Sequence, residues 1–242
     1  MYGKNALKEA LLSAPKTVKK AHLDPELNDS ELVKLLRANN IPTAPLSKEA
    51  LRSAGEEASH QGVIAVVDTE ELVQPYGEFI ASLNTTDNTA LVVLGEVQDP
   101  HNVGAIIRSA AAFGLAGVLI PAHNQAPVTG TVIKTSAGMA FRVPLVSIGN
   151  VNDTLRDLKE RGFWVYGLAM EGSIPLDAEG FEKPSVFVLG NEGAGLREKT
   201  LETCDIALSI PMHPRCESLN VAVSAGVVFS AWSRKHPGAL NA

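Results

Sequence analysis

The sequence predicts an α/β fold in which a mostly parallel sheet, with helices on both faces, follows a smaller α/β unit. After residue 90, short apolar segments of strand type alternate with segments of helical periodicity. These strands are apolar on both faces, as in a parallel sheet covered on each side. A polar, aperiodic stretch at residues 84–89 separates them from the preceding part. We therefore expect two domains, residues 1–84 and 85–242.

The first unit alternates helix and strand. Asp29 or Ser30 can cap a helix that ends at Ala38, and Ser47 can start another, with Glu49 and Glu56 as its charges. The β-branched run at residues 62–67 is typical of a strand. The remaining predicted elements are helices at residues 3–13 and 77–83 and a strand at residues 17–23.

The second part contains the elements of the larger sheet. Its predicted strands are residues 90–94, 117–120, 142–147, 164–169, 185–189 and 205–210. Its predicted helices are residues 103–113, 128–136, 151–161, 196–204 and 219–235. Asn102 is expected to be the N-cap of the first of these helices and Gly114 its C-terminal cap. Ser218 is expected to cap the last one, with Asn220 in its first turn.

Composition restricts the possible classes of protein. At 242 residues and 45% hydrophobic, the chain can form an ordinary core, and no run suits a membrane span or a signal peptide. We therefore expect a cytoplasmic protein. Cys204 and Cys216 have no metal-site spacing and are expected to be reduced thiols. The net charge of −6 divides evenly, −3 in residues 1–84 and −3 after them, so any nucleic-acid site is a local patch.

Three segments at predicted strand ends carry polar side chains or bare backbone, namely residues 99–109, 189–195 and 210–221. Taken singly, they indicate a capped helix with a surface Arg108, a glycine turn in which Glu192 caps the next helix, and a buried terminal helix. The glycine order G-x-x-G-x-G differs from the dinucleotide fingerprint. A small-molecule enzyme of the doubly wound type is therefore disfavoured.

Taken together, the segments closely resemble the SpoU family, also called the TrmH family, of the SPOUT class. The first matches the motif N-x-G-x-x-x-R from Asn102 to Arg108, and the second matches L-G-x-E-G-x-G from Leu189 to Gly195. The third matches I-P-M at residues 210–212, followed by S-L-N-V at residues 218–221. The resemblance covers about residues 90–235 and is specific as a set.

The resemblance implies S-adenosylmethionine-dependent methylation of a ribose 2′-hydroxyl in RNA. It implies a C-terminal deep trefoil knot and a homodimer packed around the last helix. No metal is expected, since neither the two cysteines nor the six histidines have ligand spacings. The residues that it implies for catalysis are Asn102, Arg108, Glu192, Ser218 and Asn220. Those that it implies for the S-adenosylmethionine pocket are Leu189, Gly190, Ile210, Met212 and Leu219.

Residues 3–11 and 60–65 resemble the L30e-like substrate-binding domain of the branch that modifies large-subunit ribosomal RNA. This second resemblance favours ribosomal RNA as the substrate. Two alternatives stay open on the sequence, namely a transfer RNA 2′-O-methyltransferase and a non-catalytic RNA-binding or ribosome-assembly protein of the same fold.

Two roles are possible for Arg108. A neutral guanidine could take the proton of the ribose hydroxyl, but arginine stays charged in proteins. A charged Arg108 could instead stabilise the developing alkoxide and hold the adjacent phosphate while the proton leaves by another route. Energetic grounds favour the second role. Asn102, Glu192, Ser218 and Asn220 would then orient Arg108, the ribose and the loops.

Overall fold

The computed structural model describes residues 1–48, 50–51, 60–169 and 173–241. Near the N-terminus, strand β1 pairs in parallel with β2 and antiparallel with β3. Helices α1 and α2 contribute Leu7, Leu11, Leu32 and Leu36 to the core beside this sheet. The elements of this part are α1 (Lys4–Ser13), β1 (Val18–Leu23), α2 (Ser30–Ala38), β2 (Thr43–Pro45) and β3 (Val63–Val67).

A larger sheet follows, and among the described residues it has eight strands in the order β4-β7-β6-β5-β10-β8-β11-β9, all paired in parallel. Its strands are β4 (Val73–Pro75), β5 (Ala90–Leu94), β6 (Gly117–Pro121), β7 (Leu145–Ile148), β8 (Trp164–Leu168), β9 (Ile174–Pro175), β10 (Ser185–Leu189) and β11 (Ile206–Ser209). Its helices are α3 (Tyr76–Ser82), α4 (Pro100–Ala112), α5 (Gly130–Thr135), α6 (Val151–Glu160), α7 (Glu198–Thr203) and α8 (Val221–Lys235).

The predicted fold class is confirmed, since the large sheet is parallel and has a buried apolar cluster on each face. The predicted strand at residues 142–147 starts too early, because a 3-10 turn at Met139–Phe141 precedes it and β7 begins only at Leu145. Ser47 Oγ accepts a hydrogen bond from Ala50 N (3.1 Å), as an N-cap does. The rest of that predicted helix, with Glu49 and Glu56, lies outside the described residues.

Residues 73–82 belong structurally to the larger sheet, although they precede the predicted domain boundary. Strand β4 pairs with β7, and Phe79 of α3 is buried in the same cluster as Leu91. The boundary at residue 84 and the trefoil knot stay predictions.

The positions of β5 and β10 locate the functional edge of the sheet. They are neighbours in the sheet but far apart in sequence, and β8 and β11 follow on the far side of β10. In a parallel sheet the carboxyl ends of the strands share one edge, where α/β proteins bind ligands at such a change of strand order. All three sequence segments begin at this edge.

No described helix combines the length and apolar character that crossing a membrane requires. Within the described ranges, no cluster of three or more His, Cys, Asp or Glu side chains is placed to hold a metal ion. Both cysteines are free, and burial raises the pKa of the Cys204 thiol to about 12.

Candidate active site

Helix α4 begins three residues earlier than predicted, and its N-cap is Asp99. The Asp99 carboxylate accepts a hydrogen bond from His101 N (2.8 Å), and Pro100 occupies the first helical position. The prediction that Asn102 caps this helix is wrong, because Asn102 lies inside the first turn. Its buried side chain is therefore free to contact other segments. Gly114 follows the helix with a φ of 74°, which confirms its predicted capping position.

The glycine loop after β10 closes on itself. Asn191 and Gly195 exchange backbone hydrogen bonds of 2.9 and 3.0 Å, and Asn191 Oδ1 accepts from Gly193 N and Ala194 N. A Cβ at Gly190 would lie 2.3 Å from the carbonyl carbon of Gly195, so only glycine fits there. Asn191 Nδ2 also donates to Glu96 O (3.0 Å), which fastens the loop to the segment after β5.

The last helix begins at Val221, and Asn220 caps it. Asn220 Oδ1 accepts from Ala222 N (2.9 Å) and Val223 N (3.3 Å). The prediction that Ser218 caps this helix is therefore wrong, and the chain at residues 218–220 is not helical. Because Oδ1 of Asn220 is taken by the backbone, its amide Nδ2 remains to donate elsewhere.

One chain of hydrogen bonds joins the three sequence segments. Asn220 Nδ2 donates to Asn102 Oδ1 (2.9 Å), and Asn102 Nδ2 donates to Glu192 Oε1 (3.0 Å). The Glu192 carboxylate also accepts from Gln98 N (3.3 Å) and Asp99 N (3.2 Å). Glu192 therefore holds the segment that leads into α4, and the prediction that it caps the helix following the glycine loop is wrong.

These contacts determine the protonation state of Glu192. Burial of the carboxylate by itself would raise its pKa, but the hydrogen bonds from Asn102 and from backbone N–H groups outweigh that effect. The pKa of Glu192 therefore lies below its usual value. The carboxylate is charged at neutral pH and lies at the positive N-terminal end of α4.

A cavity of about 230 Å³ opens between the glycine loop and the start of α8. Its walls come from the carboxyl ends of β8, β10 and β11 and from the loop before α8. Of the ten predicted site residues, seven line it: Leu189, Gly190, Glu192, Ile210, Met212, Ser218 and Leu219. These seven include all five that the family resemblance implies for the cofactor.

The other three predicted residues lie outside the cavity lining. Asn220 is hydrogen-bonded to Asn102, which is hydrogen-bonded to Glu192 in the cavity lining. Arg108 is exposed on α4 and forms no hydrogen bond or ion pair with any described residue. It is six residues beyond Asn102, or about 9 Å along the helix axis.

Several residues that line the cavity were not predicted from the sequence. Leu168 and Ala169 line the wall where β8 ends, and Val221 and Ser224 line it from the first turns of α8. The rule that parallel strands end at one edge could have identified the first pair, since β8 was predicted correctly. The second pair required the true start of α8.

Comparison with family models matches the chain twice. Residues 89–230 match the SpoU rRNA Methylase family, and residues 1–73 match the RNA 2′-O ribose methyltransferase substrate binding domain. Residues 74–88 lie between the two matches and contain the predicted linker except its last residue, Thr89.

Individual proteins are similar over most of their length. The 23S rRNA (guanosine-2′-O-)-methyltransferase RlmB of Xanthomonas campestris is 41% identical over 87% of this chain and 84% of its own. The protein of the same name from Neisseria meningitidis is 33% identical over 97% of this chain and 94% of its own. The crystal structure of the SpoU methyltransferase AviRb from Streptomyces viridochromogenes, in complex with AdoMet, has a TM-score of 0.80 at 24% identity, covering 98% of this chain and 89% of that one.

Proposed function

This chain belongs to the SpoU rRNA methylase family, and we propose that it transfers a methyl group from S-adenosylmethionine to a ribose 2′-hydroxyl of 23S-type ribosomal RNA in the cytoplasm. The observation that carries the proposal is the chain of hydrogen bonds from Asn220 through Asn102 to Glu192. It joins three distant segments into one rigid unit beside an apolar cavity.

The cavity fits S-adenosylmethionine by the chemistry of its walls. Ile210 and Met212 offer apolar surface to an adenine ring and a methionine chain, and the glycine loop offers bare backbone for hydrogen bonds. Among the described residues that line the cavity there is no lysine or arginine that would favour a diphosphate. When bound, this cofactor supplies an activated methyl group on a sulfonium centre.

We assign to Arg108 the contact with the substrate hydroxyl. Its guanidinium is exposed and has no carboxylate partner among the described residues, so its charge is available to a ligand. In this role the charged side chain holds the phosphate next to the target and stabilises the oxygen as negative charge develops on it. Asn102 and Glu192 are positioning residues that fix the start of α4.

A second copy of the chain completes this site in our proposal. Arg108 lies outside the cavity of its own protomer, and helix α8 packs beside α4, with Gly226 facing Ser109. Helix α8 also exposes Val223 and Val227, one turn apart, and Leu219 just before it. Burial of this apolar stripe in a homodimer would bring Arg108 of one protomer to the cavity of the other.

Ribosomal RNA is favoured over transfer RNA as the substrate. Both RlmB relatives act, by name, on guanosine in 23S rRNA; the chain matches 84% and 94% of their lengths, and its residues 1–73 match the substrate-binding model. The related structure of an Aquifex aeolicus tRNA-modifying enzyme covers only 65% of this chain. The assay below includes transfer RNA to separate the two.

The test is transfer of labelled methyl from S-adenosylmethionine to unmodified 23S rRNA and to transfer RNA. We expect transfer to 23S rRNA, with kcat lowered about 10²- to 10³-fold by Arg108→Ala, as for loss of a group that stabilises developing charge. Arg156→Ala, which removes an exposed arginine paired only with Asp153, is the matched control and should leave turnover unchanged. Normal turnover by Arg108→Ala, with RNA and cofactor bound as before, would make the assignment of Arg108 wrong.

A further inference from the structure

A cation and an aromatic ring meet where the N-terminal unit contacts the larger sheet's helices. Lys134, on α5, is exposed, and its Nζ lies 4.4 Å from the centre of the Tyr2 ring. The same Nζ donates to Tyr2 Oη at 3.2 Å. The ammonium group is therefore held in one place and not left free at the end of a flexible chain.

The N-terminal unit fixes the ring that holds this lysine. Tyr2 forms an antiparallel bridge with Ile64 of β3, and Gly3 N donates to Val63 O (3.2 Å). The unit is itself docked through an ion pair between Glu9 and Arg142 and by Ala6 and Glu9 packed against Gly138. Lys134 thus depends on the N-terminal unit for its position.

The lysine lies close to the candidate active site. Its neighbour Thr135 has its Oγ1 3.4 Å from Nδ1 of His101, which directly precedes Asn102. Helices α4 and α5 touch closely here, since a Cβ at Gly104 would lie 2.7 Å from Thr135 Cβ. Tyr2, Lys134 and His101, which we call the seam cluster, therefore lead from the N-terminal unit to the start of α4.

The charge of Lys134 is also available. Two cations of the N-terminal unit and the contact segment are neutralised, Lys8 by Asp29 and Glu31 and Arg142 by Glu9, whereas the amino group of Met1, close to Gly130 at the start of α5, donates to Ala65 O. Lys134 has no described carboxylate within ion-pairing distance, and its contact with Tyr2 leaves the charge in place. In a chain of net charge −6, an exposed, oriented and unneutralised lysine beside the site is a local feature that suits an anion.

We propose that the seam cluster binds a phosphodiester of the RNA strand that leads to the target ribose. Lys134 contributes the charge and Tyr2 orients it, while the exposed ring of His101, in contact with the neighbouring Thr135, can stack on an unpaired base. This inference rests on the proposed function and goes beyond it by naming one RNA contact and its place. It also gives the N-terminal unit a second role, because Tyr2 positions Lys134 of helix α5.

The experiment compares Lys134→Gln with Lys183→Gln, a control matched in charge and contact. Lys183 is also exposed and lies 4.3 Å from the centre of the Trp164 ring, but Trp164 begins β8 at the opposite edge of the sheet. The dissociation constant for an unmodified 23S rRNA transcript is measured over a range of salt concentrations. Methylation kinetics and the melting temperature are recorded for each variant.

We expect Lys134→Gln to weaken RNA binding about three- to tenfold at low salt and to lower the salt slope by about 0.7 to 0.9, the loss of one phosphate contact. KM for RNA should rise while kcat at saturating RNA, cofactor affinity and melting temperature stay unchanged. Lys183→Gln should match the wild type. If Lys134→Gln binds and methylates RNA as Lys183→Gln and the wild type do, the seam cluster is not an RNA site, although the methyltransferase assignment stands. If the wild type neither binds nor methylates the transcript, the proposed function itself fails.

Discussion

The carboxylate of Glu192 accepts hydrogen bonds from one side chain and two backbone N–H groups of the segment that begins α4. Only a charged, correctly placed carboxylate does this well, because charge-assisted hydrogen bonds are stronger than neutral ones. The local sequence did not reveal this role, since Glu192 and Asn102 are 90 residues apart. The family resemblance identified both residues, but the contact between them required the fold.

Glu192→Gln should make stability less dependent on pH in the acid range. The folded-state pKa of Glu192 lies below the ordinary value of 4.5, so its stabilisation is complete above about pH 4.5 and is lost as pH falls through the lowered pKa. The variant should therefore melt at a lower temperature than the wild type near neutral pH. The two melting temperatures should converge in acid.

Thermal unfolding of both proteins from about pH 7 to pH 3 measures this difference. Glu96→Gln is a useful control, because Glu96 pairs with exposed Arg197 on the other side of the glycine loop. A gap between wild type and Glu192→Gln that stays constant to the lowest pH would show that the charge of Glu192 contributes nothing.

At the scale of elements, strands were easier to predict than helix ends. Continuous apolar runs mark β5 and β10 to the residue, because both faces of these strands are covered. The short edge strands β4 and β9 escaped prediction, since two or three residues carry no periodicity. The helix starts at Asp99 and Asn220 were misplaced because neighbouring polar residues competed for the same capping role, although Pro100 favoured Asp99.

Two glycines of the glycine loop should respond differently to substitution by alanine. Gly190→Ala would place a Cβ against the backbone of Gly195 and Leu196, within 2.4 Å of both, so the loop must shift and the cavity wall with it. We expect S-adenosylmethionine affinity, measured by calorimetry, to fall at least about tenfold, a cost on the scale of overpacking a tight site.

Gly193→Ala is the control within the same loop. A Cβ there would meet only Asn191 Oδ1, at 3.7 Å, and its backbone does not require glycine. This variant should lose less cofactor affinity than Gly190→Ala, because its methyl group displaces no backbone, although Gly193 also lines the cavity. Equal losses of cofactor affinity in the two variants would mean that any methyl group added to the loop disturbs binding. Unchanged affinity in both would mean that the loop does not form the wall of the cofactor site.

At the scale of the whole molecule, the parallel sheet explains why three segments spread over 120 residues form one site. Each follows a strand whose carboxyl end lies at the same edge. The sequence could predict that edge, but the position of Arg108 outside the cavity of its own protomer required the fold, because it depends on how α4 and α8 cross. It also could not predict that residues 73–82 join the larger sheet, since β4 pairs with a strand 70 residues later.

Mixed dimers test the division of the site between protomers. Arg108→Ala removes the substrate contact and Gly190→Ala weakens cofactor binding, so each homodimer should have little activity when S-adenosylmethionine is kept well below the dissociation constant of Gly190→Ala. After random exchange of equal amounts, about half of the dimers are mixed and each contains one intact site, which predicts about a quarter of wild-type activity. If Arg108 served the cavity of its own protomer, mixing would restore no activity.

Nucleoside analysis of the methylated RNA tests whether the protein methylates a ribose 2′-hydroxyl of 23S rRNA. Unmodified 23S rRNA is incubated with S-adenosylmethionine and the wild-type protein or Arg108→Ala, digested, and examined by mass spectrometry. We predict one 2′-O-methylated nucleoside at a single position in 23S rRNA with the wild type, and about a hundredfold less of it or lower with the variant after the same short incubation. A methyl group on a base, or methylation of transfer RNA alone, would contradict the proposed 2′-O-methylation of 23S rRNA.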